Sequence, residues 1–91
     1  MRRSKLEKYL DILKVLAHRE PLKLKHIARE AKINSSALKQ HLAFLIQQKL
    51  VEEQNLSKNN VFYTITERGL KVLNVAVPII EEARKIQALL Y

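Results

Sequence analysis

The first pattern along the chain is helical, with apolar residues recurring every three or four positions from Ser4 to His18. This spacing turns one face of a helix toward a core, and Ser4 with Glu7 three residues later predicts a capping box at its start. Ile12 and Val15 fall outside the main stripe, so we expect the helix to pack on two neighbours, one of which can be another subunit. The predicted inward stripe consists of Leu6, Tyr9, Leu10, Leu13, Leu16 and Ala17.

Two further helices are predicted on either side of a short turn at positions 32–34. The first covers Leu24 to Ala31 and the second covers Ser35 to Gln48, each with apolar residues on one side. Asn34 or Ser35 can accept a hydrogen bond from the first free amides of the second of these helices. The predicted inward residues are Leu24, Ile27, Ala28 and Ala31 on one helix and Leu38, Leu42 and Leu45 on the other.

After position 50 the hydrophobic period changes from that of a helix to that of a strand. Residues 50–56 and 61–66 are predicted to form two strands joined by a turn at residues 57–60. In the second strand Val61, Tyr63 and Ile65 alternate with Phe62 and Thr64, as expected for one half-buried strand. Asn59 and Asn60 tolerate a positive φ, which suits the tip of a hairpin.

A last helix is predicted from Thr66, the expected N-cap, toward Tyr91, with a kink or a break at Pro78. It carries two apolar stripes, which implies two packing partners. One stripe (Leu70, Leu73, Val77 and Ile80) can pack on the first helix. The other has the 4-3 spacing of a coiled-coil seam and is the predicted dimer interface; the alternative is that the whole arm folds onto its own domain. The seam consists of Val72, Ala76, Ile79, Ala83, Ile86 and Leu90.

These elements predict a mainly α fold with a small β-hairpin. Two helices around a tight turn, the second opening with small polar and basic residues and followed by a hairpin, are typical of a winged helix-turn-helix. We assign residues 1–69 to a winged helix-turn-helix DNA-binding domain. Residues 70–91 are assigned to a C-terminal helical dimerisation arm.

The positive charge of the chain is concentrated in its first half. The net charge is +8, and residues 1–49 hold twelve Lys or Arg against four Asp or Glu. Residues 50–91 hold five of each sign, so this half has no net charge. A polyanionic partner such as duplex DNA explains the asymmetry, whereas the alternative is an ordinary lysine-rich surface.

Composition argues against catalytic, metal-binding and membrane roles. The chain has no cysteine and one glycine, so it offers no disulfide, no thiolate metal site and no glycine-rich phosphate loop. Its three histidines are spread over different predicted helices without metal-ligand spacing. The apolar runs are too short to span a bilayer, and nothing resembles a signal peptide. We therefore expect a cytoplasmic protein that is not an enzyme and has no cofactor or bound metal.

The segments LKHIAREAKINSSALKQHLAFLIQQKLVEE and VFYTITERGLKVL resemble the winged-helix transcription regulators of bacteria and archaea. The layout of the C-terminal arm is similar to that of small basic archaeal winged-helix proteins that dimerise through a C-terminal antiparallel coiled coil. One position departs from the family pattern. Lys49 stands where these regulators usually have a glycine in a left-handed conformation, so the third helix is expected to end differently and to alter the entry angle of the wing.

The resemblance implies that the third helix enters the major groove of DNA. Serine hydroxyls and backbone amides at its start suit phosphate, Gln40 can pair with adenine, and Lys39 can reach guanine or a phosphate. His41 can donate to a phosphate, although a partly buried structural histidine is an equal alternative. Near the N-terminus, Arg2, Arg3 and Lys5 are expected to form either a basic arm or, as the favoured alternative, a frayed end. The predicted DNA-contacting residues are Ser35, Ser36, Lys39, Gln40 and His41, with Lys25 beside the groove and Lys58, Asn59 and Asn60 at the wing tip.

The function predicted from the sequence is that of a dimeric, sequence-specific DNA-binding transcription regulator that reads the major groove with the helix at 35–48. Its expected partners are double-stranded DNA and a second copy of the chain, with no membrane and no small-molecule ligand evident. Two alternatives remain at this stage. One is a sequence-tolerant, chromatin-associated DNA-binding protein, and the other is a protein-binding winged helix used in assembly.

Overall fold

The computed structural model describes residues 3–18 and 20–90, which form four helices and a two-stranded antiparallel sheet. The mainly α architecture with one hairpin is confirmed, and each predicted helix and strand is present. In chain order the elements are α1 (Lys5–Ala17), α2 (Leu24–Ala31), α3 (Ser35–Gln47), β1 (Val51–Ser57), β2 (Asn60–Ile65) and α4 (Glu67–Leu90).

Helix α1 begins with the predicted capping box. The Glu7 amide donates to Ser4 Oγ at 3.1 Å, and the Ser4 amide donates to Glu7 Oε1 at 3.1 Å. The predicted inward stripe is partly wrong, because Ile12 is 0% exposed whereas Leu6 is 54% exposed. Helix α1 contacts α2, β2 and α4, so its apolar face must be wider than one stripe. Its several neighbours therefore lie within its own chain.

Arg3 is neither part of a basic arm nor frayed, because its guanidinium joins α1 to the end of α2. Its Nη1 donates to Asp11 Oδ2 at 2.8 Å and to the carbonyl of Ala31 at 2.7 Å, and its Nη2 donates to the carbonyl of Lys32 at 2.6 Å. The last carbonyls of a helix lack partners within the helix, so Arg3 satisfies two of them. Arg2 lies outside the described residues.

The hairpin follows α3 and has one irregularity near its tip. The pairs run from Val51 opposite Ile65 to Asn55 opposite Val61, and a bulge at Leu56 shifts the next pair to Ser57 opposite Asn60. The predicted turn therefore narrows to residues 58–59, and Asn60 begins the second strand. Among the described residues, positive φ occurs at Lys32 and Lys49 but at neither tip asparagine. The expectation that Asn59 and Asn60 supply a positive φ is wrong.

The junction between α3 and the wing is tied to the start of α4. Lys49 has φ of 62°, so a lysine adopts the left-handed conformation that a glycine was expected to provide. The predicted departure from the family's helix ending is wrong. Thr66 Oγ1 donates to the carbonyl of Lys49 at 2.8 Å and accepts from the amide of Gly69 at 2.9 Å. Thr66 is thus the predicted cap of α4 and also fixes the exit from α3.

Helix α4 runs without a break through Pro78, so the alternative of a helix that ends there is wrong. Leu73 is buried, and Val77 and Ile80 are half-buried against the core. Arg84 forms an ion pair with Glu7 in the first turn of α1. This contact raises the pKa of the Arg84 guanidinium and holds the pKa of the Glu7 carboxyl below its usual range. The first part of the arm therefore packs on the core next to α1 through Leu73, Val77 and Ile80, as predicted. Leu70 of the same predicted stripe is 39% exposed, so its assignment to the buried side is wrong.

Candidate nucleic-acid interface

Helix α3 has one side in the core and the opposite side in solvent. Leu38, Leu42 and Leu45 are almost completely buried, which confirms the predicted ridge. Such a helix is held rigidly by one face while the other remains available for a partner. The exposed side of its first turns carries Ser35, Ser36, Lys39 and Gln40, followed by Ala43 one turn later.

The start of α3 is arranged to favour an anion. Asn34, and not Ser35, is the N-cap, and its Oδ1 accepts a hydrogen bond from the Ala37 amide at 2.9 Å. The two serine side chains are exposed beside the amides of the first turn. This turn contains no acidic residue, and the helix dipole places partial positive charge there. With Lys39 one turn further along, the exposed end of α3 suits a phosphate or the acceptor edge of a base.

His41 lies among the neighbours of α3 and not on this exposed side. Its side chain is 9% exposed, and its ring meets the edge of Tyr9 with centroids 5.2 Å apart. Burial lowers the pKa of His41, and the positive charges of Lys8 and Lys5 lower it further. This environment favours a neutral histidine that packs α3 against α1. We therefore remove His41 from the set of candidate DNA contacts.

Lys25 lies on a helix whose preceding segment is bonded to the wing. Lys25 is exposed in the first turn of α2. Just before that helix, Leu22 exchanges backbone hydrogen bonds with Tyr63 of β2, at 3.1 and 2.8 Å. The ammonium of Lys23 lies 5.5 Å from the centre of the Phe62 ring, which adds a cation–π contact between the same elements.

The wing tip presents Lys58, Asn59 and Asn60, all exposed as predicted. Asn60 Nδ2 donates to Ser57 Oγ at 2.8 Å, so this amide already takes part in shaping the tip. Lys58 is the one cation among residues 57–61, which leaves the tip with a weak electrostatic attraction for a phosphate chain. The wing tip is therefore exposed, as a contact with a DNA groove requires, but its single positive charge adds little attraction for DNA.

Sequence reasoning missed the position of Lys8 beside α3. Its charge and that of Lys5 act on His41, which places both lysines near the flank of α3 that α1 covers. The signal was available in the sequence. Lys5 and Lys8 are three residues apart on α1 and lie next to Tyr9 on the helix surface. They therefore share the edge of α1 that faces α3.

A second surface lies on the side of α4 that faces away from α1. Six large apolar side chains are exposed there, which is unusual for so small a surface. Ala76, predicted for the dimer seam, is half-buried against the core because this side of α4 turns inward, so we remove it from the seam. We call the exposed set the outer strip, and it consists of Val72, Val75, Ile79, Ile86, Leu89 and Leu90.

Within the described residues, no three histidine, cysteine, aspartate or glutamate side chains are grouped closely enough to hold a metal ion. In the same part of the chain, no helix combines the length and hydropathy needed to cross a bilayer. The two features that remain are the exposed end of α3 with its neighbouring wing and the outer strip of α4.

A sequence family described as winged helix-turn-helix matches residues 2–84. The chain belongs to the winged helix-turn-helix family. The order of three helices, hairpin and long C-terminal helix agrees with this assignment. No curated protein sequence matches the chain significantly.

Several solved structures share the fold at low sequence identity. The Lactococcus lactis ZitR–DNA complex has a TM-score of 0.69 and 22% identity, and the match covers 98% of this chain and 61% of ZitR. The Streptomyces coelicolor transcriptional regulator PcaV has a TM-score of 0.79 and 14% identity, with 87% and 60% covered. A MarR-family transcriptional regulator from Silicibacter pomeroyi has a TM-score of 0.77 and 18% identity, with 92% and 56% covered.

The present chain is shorter than these similar proteins. It spans between 56% and 61% of the length of the three, so the likeness concerns the winged helix-turn-helix and its adjoining helix. The archaeal resemblance suggested by the arm is not reproduced among these three, which are bacterial.

Proposed function

We propose that the chain is a DNA-binding transcription regulator that places α3 in the major groove. The observation that carries this proposal is the two-sided character of α3. Its leucine ridge is buried, whereas Ser35, Ser36, Lys39 and Gln40 are exposed together at its positively polarised end. The basic half of the chain and the ZitR–DNA complex, which has the same fold, support duplex DNA as the partner.

The contacts divide by chemistry into base-reading and backbone-binding groups. Gln40 and Lys39 have the donor and acceptor groups that distinguish base edges in the major groove. Ser35, Ser36 and Lys25 suit phosphates on either side, and Lys58 with Asn59 suits the backbone or the minor groove next to the wing. In this arrangement α3 supplies the sequence preference and the remaining contacts supply most of the affinity.

We further propose that the regulator acts as a homodimer joined through α4. The outer strip supports this, because it leaves six large apolar side chains exposed to solvent on one side of a single helix. A two-fold dimer carries two copies of α3. The α4 segment from Leu73 to Leu90 is about 27 Å long at 1.5 Å per residue, which is close to the roughly 34 Å between half-sites one DNA turn apart.

The experiment that tests this function is selection of bound duplexes from a random DNA pool by the purified chain. A regulator enriches one motif, with two half-sites in the dimer, and binds it about a thousandfold or more tightly than random DNA at physiological salt. Binding without enrichment, at a specificity ratio near one, contradicts sequence reading and assigns the chain to sequence-tolerant DNA packaging. Absence of binding at low salt contradicts the proposal and favours a protein-binding winged helix.

A further inference from the structure

Two lysines of α1 lie beside α3 because an aromatic contact joins the two helices. The Tyr9 ring stacks on the Phe44 ring of α3, with centroids 4.9 Å apart and planes 16° from parallel. The same tyrosine meets the edge of the His41 ring. Lys5 precedes Tyr9 by about one helical turn and Lys8 is its neighbour in the chain, so both side chains start from the part of α1 that contacts α3.

Neither lysine is paired with a carboxylate in the described part of the chain. The acidic residues of α1 are Glu7 and Asp11, and each is already paired with an arginine. Lys5 is exposed and Lys8 is half-buried. After burial, which has the largest effect, the charges of Lys8 and Lys5 lower the pKa of His41. This side of α3 therefore has a positive potential that no neighbouring acid neutralises.

Phe44 marks the edge of α3 that these lysines border. Successive residues of an α-helix are about 100° apart around its axis, so Ala43 falls near the middle of the exposed side. Gln40 and Phe44 fall toward one edge of that side, and Lys39 falls toward the other. Phe44 is 41% exposed despite its stack on Tyr9, so this edge remains open to a partner. The lysines of α1 thus continue the exposed side of α3 beyond Gln40.

A helix with side chains is about 10–12 Å in diameter and the major groove is about 12 Å wide, so a DNA strand runs along each edge of an inserted helix. We propose that α1 is a second DNA-binding element, in which Lys5 and Lys8 contact phosphates of the strand along the Phe44 edge of α3. The exposed part of the Phe44 ring lies against sugars of the same strand. The inference rests on the proposed placement of α3 in the major groove, and it adds the element that holds one of the two strands.

The contact also affects how α3 reads the bases. Phosphate contacts carry no sequence information themselves, but they fix the register of the protein on the duplex. Since the stack of Tyr9 on Phe44 ties α1 to α3, phosphates held by α1 restrict the rotation of α3 in the groove. Gln40 lies on the same edge of α3, so its distance from the base edges depends on this restraint.

Alanine substitution tests the contact, with a lysine elsewhere on α1 as the matched control. Lys5→Ala and Lys8→Ala should each weaken binding about three- to tenfold in fluorescence anisotropy, on a selected and on a scrambled duplex alike, because both duplexes have the same phosphates. Each substitution should also reduce the slope of log K against log salt concentration by about one.

The control is Lys14→Ala, which removes the same charge from an exposed position on the side of α1 toward α4. Its affinity should stay within about twofold of wild type and its salt slope should be unchanged, because Lys14 lies away from the proposed contact. Lys8→Arg keeps the positive charge and should also bind within about twofold of wild type. Circular dichroism verifies that each variant is folded.

Neutral linkages in the DNA locate the contacted strand. Single methylphosphonate linkages, which carry no charge, are placed in turn along the selected duplex. At the linkage next to Lys8 the change should weaken wild-type binding about three- to tenfold and should leave Lys8→Ala unaffected, because the charge pair is already lost there. Lys14→Ala should keep the wild-type sensitivity at every linkage.

The possible failures separate this inference from the proposed function. A chain that binds no duplex at low salt contradicts the placement of α3 in DNA. A chain that binds duplex DNA while Lys5→Ala and Lys8→Ala bind as tightly as wild type contradicts the role of α1 alone. Equal losses in Lys14→Ala also contradict that role, because they show that net charge and not position determines the effect.

Discussion

Gly69 shows how closely the wing and α4 approach each other. A Cβ atom built at this position collides with the backbone carbonyl oxygen of Leu50 and lies 2.7 Å from Cγ1 of Ile65. The Leu50 carbonyl also accepts the Thr66 amide at 3.0 Å, so it cannot easily move away. Gly69 is therefore required for the close approach and not for an unusual backbone conformation.

We expect Gly69→Ala to lower the free energy of unfolding by about 1–3 kcal/mol, because the overpacking cost exceeds the roughly 1 kcal/mol that alanine gains in a helix. Urea denaturation followed by circular dichroism measures this change. Lys71→Ala, at an exposed position two residues later, is the control and should change stability by less than about 0.5 kcal/mol. Equal stability of the two variants would show that the junction is more adaptable than its contacts indicate.

His41 makes stability depend on pH in a predictable direction. Burial lowers its pKa in the folded chain below the ordinary value of about 6.5, so protonation favours the unfolded state. The stability contributed by neutral His41 is present above about pH 6.5 and is lost as the pH falls from there toward the folded pKa. Thermal unfolding at intervals from pH 7.5 to 5 should show a decrease that is smaller in His41→Phe. The exposed His26→Gln variant serves as the control and should retain the wild-type slope.

At the scale of elements, the sequence predicted all four helices and both strands because their hydrophobic periods and caps are local properties. Ser4, Asn34 and Thr66 cap the helices that the sequence pattern assigned to them. The errors concern contacts between elements. Whether Ile12 is buried, or Ala76 faces inward, depends on where α2, β2 and α4 lie around α1, and a single helical period does not contain this information.

For the candidate site too, local features could be predicted from the sequence, whereas contacts between elements could not. The exposed positions of α3 follow from its amphipathic period, whereas the burial of His41 depends on Tyr9 across the contact with α1. Lys49 shows which part of the helix ending is local. Its left-handed φ belongs to the ending of α3 itself, where the Lys49 amide donates to the Ile46 carbonyl and the Leu50 amide donates to the Leu45 carbonyl, each at 2.9 Å. The additional bond from Thr66 to the Lys49 carbonyl comes from 17 residues away in sequence, and periodicity does not predict it.

Arg3 is the clearest link between elements that periodicity does not predict. We expect Arg3→Ala to lower the free energy of unfolding by about 1–2 kcal/mol, since charged hydrogen bonds to Asp11 and to two carbonyls are lost from a partly exposed site. Arg3→Lys should recover only part of this loss, because an ammonium lacks the planar fork that reaches several acceptors at once. Denaturation of the wild-type, Arg3→Ala and Arg3→Lys proteins under the same conditions gives the order of their free energies of unfolding. A lysine variant as stable as wild type would show that charge alone holds α1 to α2.

At the scale of the whole molecule, the proposed function gives the two surfaces separate tasks. We propose that the end of α3 binds duplex DNA and that the outer strip of α4 determines how many copies of α3 act together. Since the strip is on the side of α4 away from α1, it can be altered without disturbing the core. This separation makes the dimer testable by substitution.

Replacing Ile79 and Ile86 together by glutamate should convert the proposed dimer into a folded monomer, because both side chains are exposed in the proposed seam and do not belong to the core. Sedimentation equilibrium at tens of micromolar measures the mass, and circular dichroism verifies the fold. The monomer should bind a two-half-site duplex about a hundredfold more weakly than the dimer, since the second half-site contact no longer benefits from effective concentration. Unchanged mass in the double variant would place the interface elsewhere on the molecule.

The central claim is that the exposed end of α3 reads base edges, and Gln40→Ala tests it most directly. The measurement is the dissociation constant of wild-type and Gln40→Ala proteins for the selected duplex and for a scrambled duplex, by fluorescence anisotropy at several salt concentrations. We predict a loss of about 1–3 kcal/mol on the selected duplex and little change on the scrambled one, whereas Lys25→Ala weakens both alike. Equal losses on the two duplexes for Gln40→Ala would contradict the claim.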